Sequence, residues 1–184
     1  HAIIPVRSEE PAPELYRHFV DPFVALARAS AVTDRLKLGT AVCHVPEHHP
    51  LLMAKEVATL DMYSGGRFLF GVGAGWLKEE TELMGGDFDH RWTQTRDAVL
   101  AMKELWAKSE SEYEGSHYRF PPVYSFPRPA QRPHPPVLLG GTDAQTVFAD
   151  RLAGEAINDP WGQIERHVAR IDLSTGLVDD RFFS

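Results

Sequence analysis

His44-Val45-Pro46-Glu47-His48 sets two imidazoles and a carboxylate in the order H-x-x-E-H, and His49 adds a third imidazole. Inverted zinc peptidases use that order to hold a metal and a base, which requires both histidines one turn apart on a single helical face. Pro46 between them and Pro50 directly after oppose a continuous helix. The stretch therefore reads as a polar loop following a strand, and no metal site is expected. From such a loop Glu47, His48 and His49 either line a substrate mouth or stay solvated, and one of the three is expected to be functional. Gly71-Val72-Gly73-Ala74-Gly75 invites a dinucleotide reading, but Trp76 stands where that turn needs a third glycine or alanine. What survives is a glycine-rich strand end that lets backbone amides approach a ligand closely. Gly140-Gly141-Thr142 repeats the design and leads into a helix whose free N–H groups and dipole favour an anion such as phosphate. Cys43 reads as a small buried strand residue rather than a redox thiol.

The elements that must position these groups alternate along the chain. Asp21-Pro22 caps a helix over roughly 22–33, with Phe23, Leu26, Ala27 and Ser30 at helical spacing. Residues 36–43 form an apolar, small-residue run suited to a strand of a parallel sheet, its carboxyl end near His44. Pro50 opens a helix with the stripe Leu51, Ala54, Val57, Ala58 and Leu60, ended by Ser64-Gly65-Gly66. A strand over 67–73, a short helix over 77–84 and a longer one over 91–107 follow, the last with Val99, Met102 and Trp106 facing the core. Tyr113 to Phe120 alternates about a glycine turn and predicts a hairpin. Seven prolines between Pro121 and Pro136 predict an extended connection without regular structure. Val137-Leu138-Leu139 is a short buried strand, with a helix predicted over 143–152 and another proposed over 164–171. This order is that of βα units around a parallel sheet, and it excludes an antiparallel all-β fold. If the sheet closes into a (β/α)₈ barrel, the ends at Cys43-His44, Gly73–Trp76 and Gly140-Gly141 converge on one active face, and the Ser64–Arg67 turn lies on the opposite, stabilising face.

Composition narrows the function classes. The 184 residues are 43% hydrophobic and carry a formal charge of −7, so a core of ordinary size is available and a surface built for nucleic-acid phosphates or anionic lipid is not. The most apolar stretch, residues 68–77, is well short of the ~20 residues that span a bilayer, and no membrane partner is expected. One cysteine allows no internal disulfide and suits a reducing cytoplasm. The chain begins at His1 without a leader pattern, so it is expected to start inside a longer gene product.

Leu38-Gly39-Thr40-Ala41-Val42, His49-Pro50 with Ala54–Asp61, Ser64-Gly65-Gly66-Arg67-Phe68, Gly71–Trp76, and Gln131–Pro136 with Gly140-Gly141 together resemble the luciferase-like monooxygenase superfamily. Within it they are most similar to the branch that uses the deazaflavin coenzyme F420, over roughly residues 1–150. The resemblance implies one α/β domain over 1–184, a (β/α)₈ TIM-type barrel of the bacterial luciferase-like class with a hairpin insertion and Pro-rich connection at about 112–136. It also implies that the barrel is incomplete at the N-terminus, where roughly 40 residues of a typical ~250 are missing, and in the C-terminal part. A homodimer and a small-molecule substrate are implied as well.

The same resemblance implies that a non-prolyl cis peptide, Ala41-Val42, backs the cofactor ring. Cofactor contacts are implied at Ala41, Val42, His44, Ala74, Gly75 and Glu79, and a phosphate site at Gly140, Gly141, Asp143 and Ala144. His1 matches the proton-transferring histidine of an Asp-His pair whose aspartate is absent here. Trp76 takes the place of a catalytic glutamate and implies a flat, apolar substrate in a pocket shared with Glu47 and His48. The expected function is hydride transfer between coenzyme F420 and an organic substrate. The alternatives are an FMN-dependent monooxygenase and a non-catalytic barrel relative.

Overall fold

The computed structural model describes residues 1–6 and 14–139, together with two short backbone strands at 171–172 and 177–178. By backbone contacts the chain forms two compact units, His1–Gly141 and Thr142–Ser184. In the second, β7 (Ile171–Asp172) pairs antiparallel with β8 (Leu177–Val178). Ile171, expected to end a helix, is therefore in a strand. The rest of that predicted helix, the helix over 143–152, and Gly140, Gly141, Asp143 and Ala144 lie outside the described residues.

The first unit is built on β3 (Phe68–Gly73), which has parallel partners on both sides. One partner is the expected strand over 36–43, which the structure divides into β1 (Leu38–Gly39) and β2 (Cys43–His44). Leu38 pairs with Phe68 and Cys43 with Val72, so five steps along this strand meet four along β3. The extra residue makes a bulge, which interrupts the ladder and re-aims side chains. The other partner is β6 (Val137–Leu139), in register from Phe70↔Val137 to Val72↔Leu139.

Helices cover the sheet where the sequence pattern expects them. In α1 (Pro22–Ala31) the Asp21 carboxylate accepts the Val24 N–H at 2.8 Å as an N-cap. In α2 (Pro50–Tyr63) the buried face is Met53, Ala54, Val57, Ala58, Leu60 and Asp61, whereas Leu51, expected in the stripe, is exposed. α3 (Lys78–Leu83) and α4 (Arg91–Ala107) complete the layer. Met102, Leu105 and Trp106 of α4 pack with α2 and the phenylalanines of β3 in one core, and the Trp106 indole N–H donates to the Ala54 carbonyl at 2.9 Å. Parallel strands covered by helices are the βα units that the expected (β/α)₈ barrel is built from. Among the described residues no helix is long and apolar enough to cross a membrane.

The insertion is more regular than its prolines suggest. β4 (Glu110–Glu114) and β5 (Arg119–Tyr124) form a two-stranded antiparallel ribbon, and Pro121 and Pro122 lie inside β5. A two-stranded ribbon is all edge, and an edge strand tolerates residues that cannot donate outward. Beyond it, buried Asp61 accepts the Gln131 backbone and side-chain N–H groups at 2.8 and 2.6 Å, and Gln131 Nε2 donates to the Phe68 carbonyl at 2.8 Å. This fastens the Pro-rich connection to α2 and β3.

Candidate functional site at the carboxyl ends of the strands

β2 and β3 end side by side, with Cys43 beside Val72 and His44 beside Gly73. The Ala41–Val42 peptide bond is cis, the form the resemblance implies, and it lies in the bulge. Two glycines of β3 leave room for that bulge. A Cβ on Gly71 would stand 1.9 Å from the Thr40 carbonyl oxygen, and one on Gly73 2.5 Å from Val42 Cγ2. Thr40 is held further by its hydroxyl, which donates to the Gly71 carbonyl at 2.7 Å. Val42 is left 40% exposed.

After β3 the chain turns through buried Ala74 and through Gly75, whose φ of +79° belongs to the left-handed region. A Cβ on Gly75 would lie 3.3 Å from both Glu47 Oε1 and Thr81 Oγ1. Trp76 follows and is 59% exposed. Thus Val42, His44, Gly73, Ala74, Gly75 and Trp76 share one end of the sheet. Arg67 marks the other end, where its guanidinium donates to the carbonyls of Ser30, Leu36 and Ser64 and to the Thr33 hydroxyl. The turn before β3 is therefore on the stabilising side, as the strand direction requires.

Two carboxylate–imidazole pairs sit next to each other at the rim. Val45–Glu47 is a short 3-10 turn rather than an α-helix, so the H-x-x-E-H order does not place His44 and His48 on one helical face. It returns Glu47 toward His44, with Oε1 3.2 Å from His44 Nδ1. Glu47 is buried and His48 half-buried, while His49 is exposed and caps α2 by accepting the Leu51 N–H at 3.3 Å. Burial pushes the His48 imidazole below its ordinary range, against a pull upward from Glu47. The second pair is His1 Nδ1 with Glu80 Oε2. The His1 ring meets Tyr16, His44 and Trp76 edge-on, at centroid distances of 4.9, 5.3 and 5.5 Å.

Glu80 is the site residue that sequence reasoning missed. Glu79, the residue expected at the cofactor, is on the exposed side of α3, whereas Glu80 is fully buried. A signal existed in the spacing. Leu77, Glu80 and Thr81 fall at i, i+3 and i+4 and are the buried positions, so a carboxylate occupied the inward stripe of a short helix. His1, His44 and Glu80 each offer a donor atom within 4.8 Å of the others. They could hold a divalent cation if it displaced the His1–Glu80 hydrogen bond. Cys43 is no nucleophile in this setting, because burial, with Glu56 and Glu47 adding to it, pushes its thiol up to about 12.

The model of luciferase-like monooxygenases matches residues 12–161. This chain belongs to the luciferase-like monooxygenase family. Its fold is that of part of the TIM-type barrel of that class. An uncharacterized protein of Mycobacterium tuberculosis, Rv0953c, is 39% identical over 98% of this chain, and the match spans 65% of that relative's length. The FMNH(2)-dependent dimethylsulfone monooxygenase of Pseudomonas putida is 35% identical over 67% of this chain and 35% of its own. The coenzyme F420-dependent tetrahydromethanopterin reductase of Methanopyrus kandleri superposes with a TM-score of 0.62 at 25% identity, over 76% of this chain and 43% of the reductase.

Proposed function

We propose that this luciferase-like protein is an oxidoreductase that binds a flavin-type tricyclic cofactor at the rim formed by the ends of β2 and β3. The observation that carries the proposal is the convergence there of an exposed apolar surface, a glycine-lined turn and two carboxylate–imidazole pairs. A ring system of this kind needs a flat backing and close approach of backbone. Val42 and Trp76 provide exposed apolar surface, and Gly75 leaves a space that a Cβ would fill against Glu47 and Thr81. The Thr81 hydroxyl below that turn is buried and has no hydrogen-bond partner, so the site holds a polar atom free to meet a ligand. These residues fit the group.

Val42, His44, Ala74 and Gly75 would hold the ring; the phosphate contacts expected at Gly140, Gly141, Asp143 and Ala144 lie outside the described residues. Bound there, reduced FMN supplies oxygen activation, or a deazaflavin supplies hydride transfer. The chain contributes the rest. The rim orients the ring against the substrate, Trp76 and the His48 loop bound the substrate pocket, and His1 moves a proton between itself and the substrate. FMN is placed first because the FMNH(2)-dependent relative is 35% identical, against 25% for the F420-dependent reductase. The reductase's superposition keeps the F420 reading second. A homodimer in the cytoplasm belongs to the same proposal.

Fluorescence titration of the purified protein with FMN and with coenzyme F420 tests it. Saturable binding of FMN at low micromolar concentration, with none of F420, is expected. The reverse result makes the protein a deazaflavin enzyme. Binding of neither overturns the proposal in favour of a non-catalytic relative.

A further inference from the structure

Three hydrogen bonds converge on one carboxylate that is wholly shut from solvent. Glu80, in the first turn of α3, accepts the backbone N–H of Ala2 at 2.6 Å and of Ile3 at 3.1 Å on Oε1, and meets His1 Nδ1 with Oε2. Its exposure is 0%, and that of the His1 side chain 8%. Burying a carboxylate is costly unless donors replace its water, and here all three come from residues 1–3. A carboxylate serving only as a surface ornament would need none of this.

We propose that Glu80 is the positioning residue for His1, setting both the place of the ring and which of its nitrogens exchanges a proton. The inference rests on the reading of His1 as the proton-transfer group. The bonds from Ala2 and Ile3 fix the backbone that directly follows the ring's attachment, and the edge contacts with Tyr16, His44 and Trp76 confine the ring itself. The Glu80 carboxylate already accepts two N–H groups on Oε1, and as the acceptor of the third bond on Oε2 it leaves the proton between the pair on His1 Nδ1. In the neutral ring Nε2 then holds the lone pair, and it is the nitrogen that takes a proton from substrate or returns it. His44 is poised in the same way by Glu47. Glu80 differs in that it also anchors the segment carrying its histidine.

The test is the tautomer of His1 in the full chain labelled with ¹⁵N-histidine, read from long-range ¹H–¹⁵N spectra and assigned by loss of one ring pattern in His1→Gln. The Nδ1–H form is expected. The Nε2–H form, or an even mixture, overturns the proposal without any variant having to fold. In Glu80→Gln the amide oxygen can still accept from Ala2 and Ile3 while its NH₂ faces Nδ1, so the ring is expected to switch to Nε2–H with the melting temperature little changed. A folded Glu80→Gln that keeps Nδ1–H also overturns it. Turnover is expected to fall about 100-fold in Glu80→Gln with KM nearly constant. The Nδ1–H form in a protein that binds neither cofactor would leave the positioning intact and remove the oxidoreductase reading, whereas Nε2–H with normal flavin binding does the opposite.

Discussion

Gly71 and Gly73 sit two residues apart in one strand, yet they exclude a side chain for different reasons. The Cβ of an alanine at 71 would strike the Thr40 carbonyl, a backbone atom pinned in the bulge. At 73 it would strike the end of Val42, a side chain that faces the rim and is partly exposed. Gly71→Ala is therefore expected to cost about 3 kcal/mol in a denaturant melt, since neither wall can give. Gly73→Ala is expected to cost about 1 kcal/mol, because Val42 can move outward. That movement changes the backing of the ring, so the cofactor Kd should rise about tenfold, a difference of ~1.4 kcal/mol. Equal loss of stability in both variants, with unchanged affinity at 73, would contradict this account. At this scale the sequence already told much: glycine at a strand end marks close backbone approach. It did not tell Glu79 from Glu80, because adjacent carboxylates differ only in which way the helix turns them.

The β4–β5 ribbon depends on one buried carboxylate of α4. Asp97 accepts the Tyr113 hydroxyl at 2.6 Å and the His117 and Tyr118 N–H groups at 2.7 and 2.8 Å. A Cβ on Gly115 would lie 2.1 Å from its Oδ1, so the turn is moulded around the acid. Burial alone would raise the Asp97 carboxyl, but these bonds outweigh it and hold the group below its ordinary range. A lowered native value means that the unfolded chain binds the proton more readily. The stabilisation is thus full above the unfolded pKa of ~3.9 and is lost as pH falls through the lower native value. Asp97→Asn is expected to cost about 1–3 kcal/mol at pH 7, where an amide NH₂ faces backbone donors. The gap to the parent protein should narrow below about pH 4. Thermal melts of both proteins between pH 3 and 7 check it, and a gap that widens toward acid would refute the assignment. The hairpin was legible from alternation about Gly115, but its extension through Pro121 and Pro122 was not, because tolerance of proline depends on a strand having an open edge.

A parallel sheet gives the molecule two unlike ends, one holding it together and one open for chemistry. Arg67 at the amino end joins α1, the loop before β1 and the turn after α2 by four hydrogen bonds. Lysine cannot reproduce that fork. Arg67→Lys is expected to lose about 2 kcal/mol of stability and to leave the flavin Kd unchanged. Trp76→Ala, at an exposed position on the carboxyl rim, is expected to change stability by less than about 0.5 kcal/mol while weakening flavin binding about tenfold. Melts and titrations on the two variants separate the ends. Lost affinity in the arginine variant and unaltered affinity in the tryptophan variant would refute the assignment of the rim.

The alternation of elements, their boundaries at Pro22, Pro50 and the glycine pairs, and the order of glycine-lined strand ends were determined by the sequence itself. Caps, breakers and periodicity act within a few residues and need no distant partner. The α4 span and the core role of Met102 and Trp106 were readable for the same reason. Tertiary structure alone decided that the 36–43 strand divides around a bulge, that Glu47 turns to His44, and above all that Glu80 meets His1. Those pairings join groups whose side chains carry no mark of their partner. A buried carboxylate finds its donors only when the sheet has brought two distant segments to the same edge, and no local rule encodes that distance.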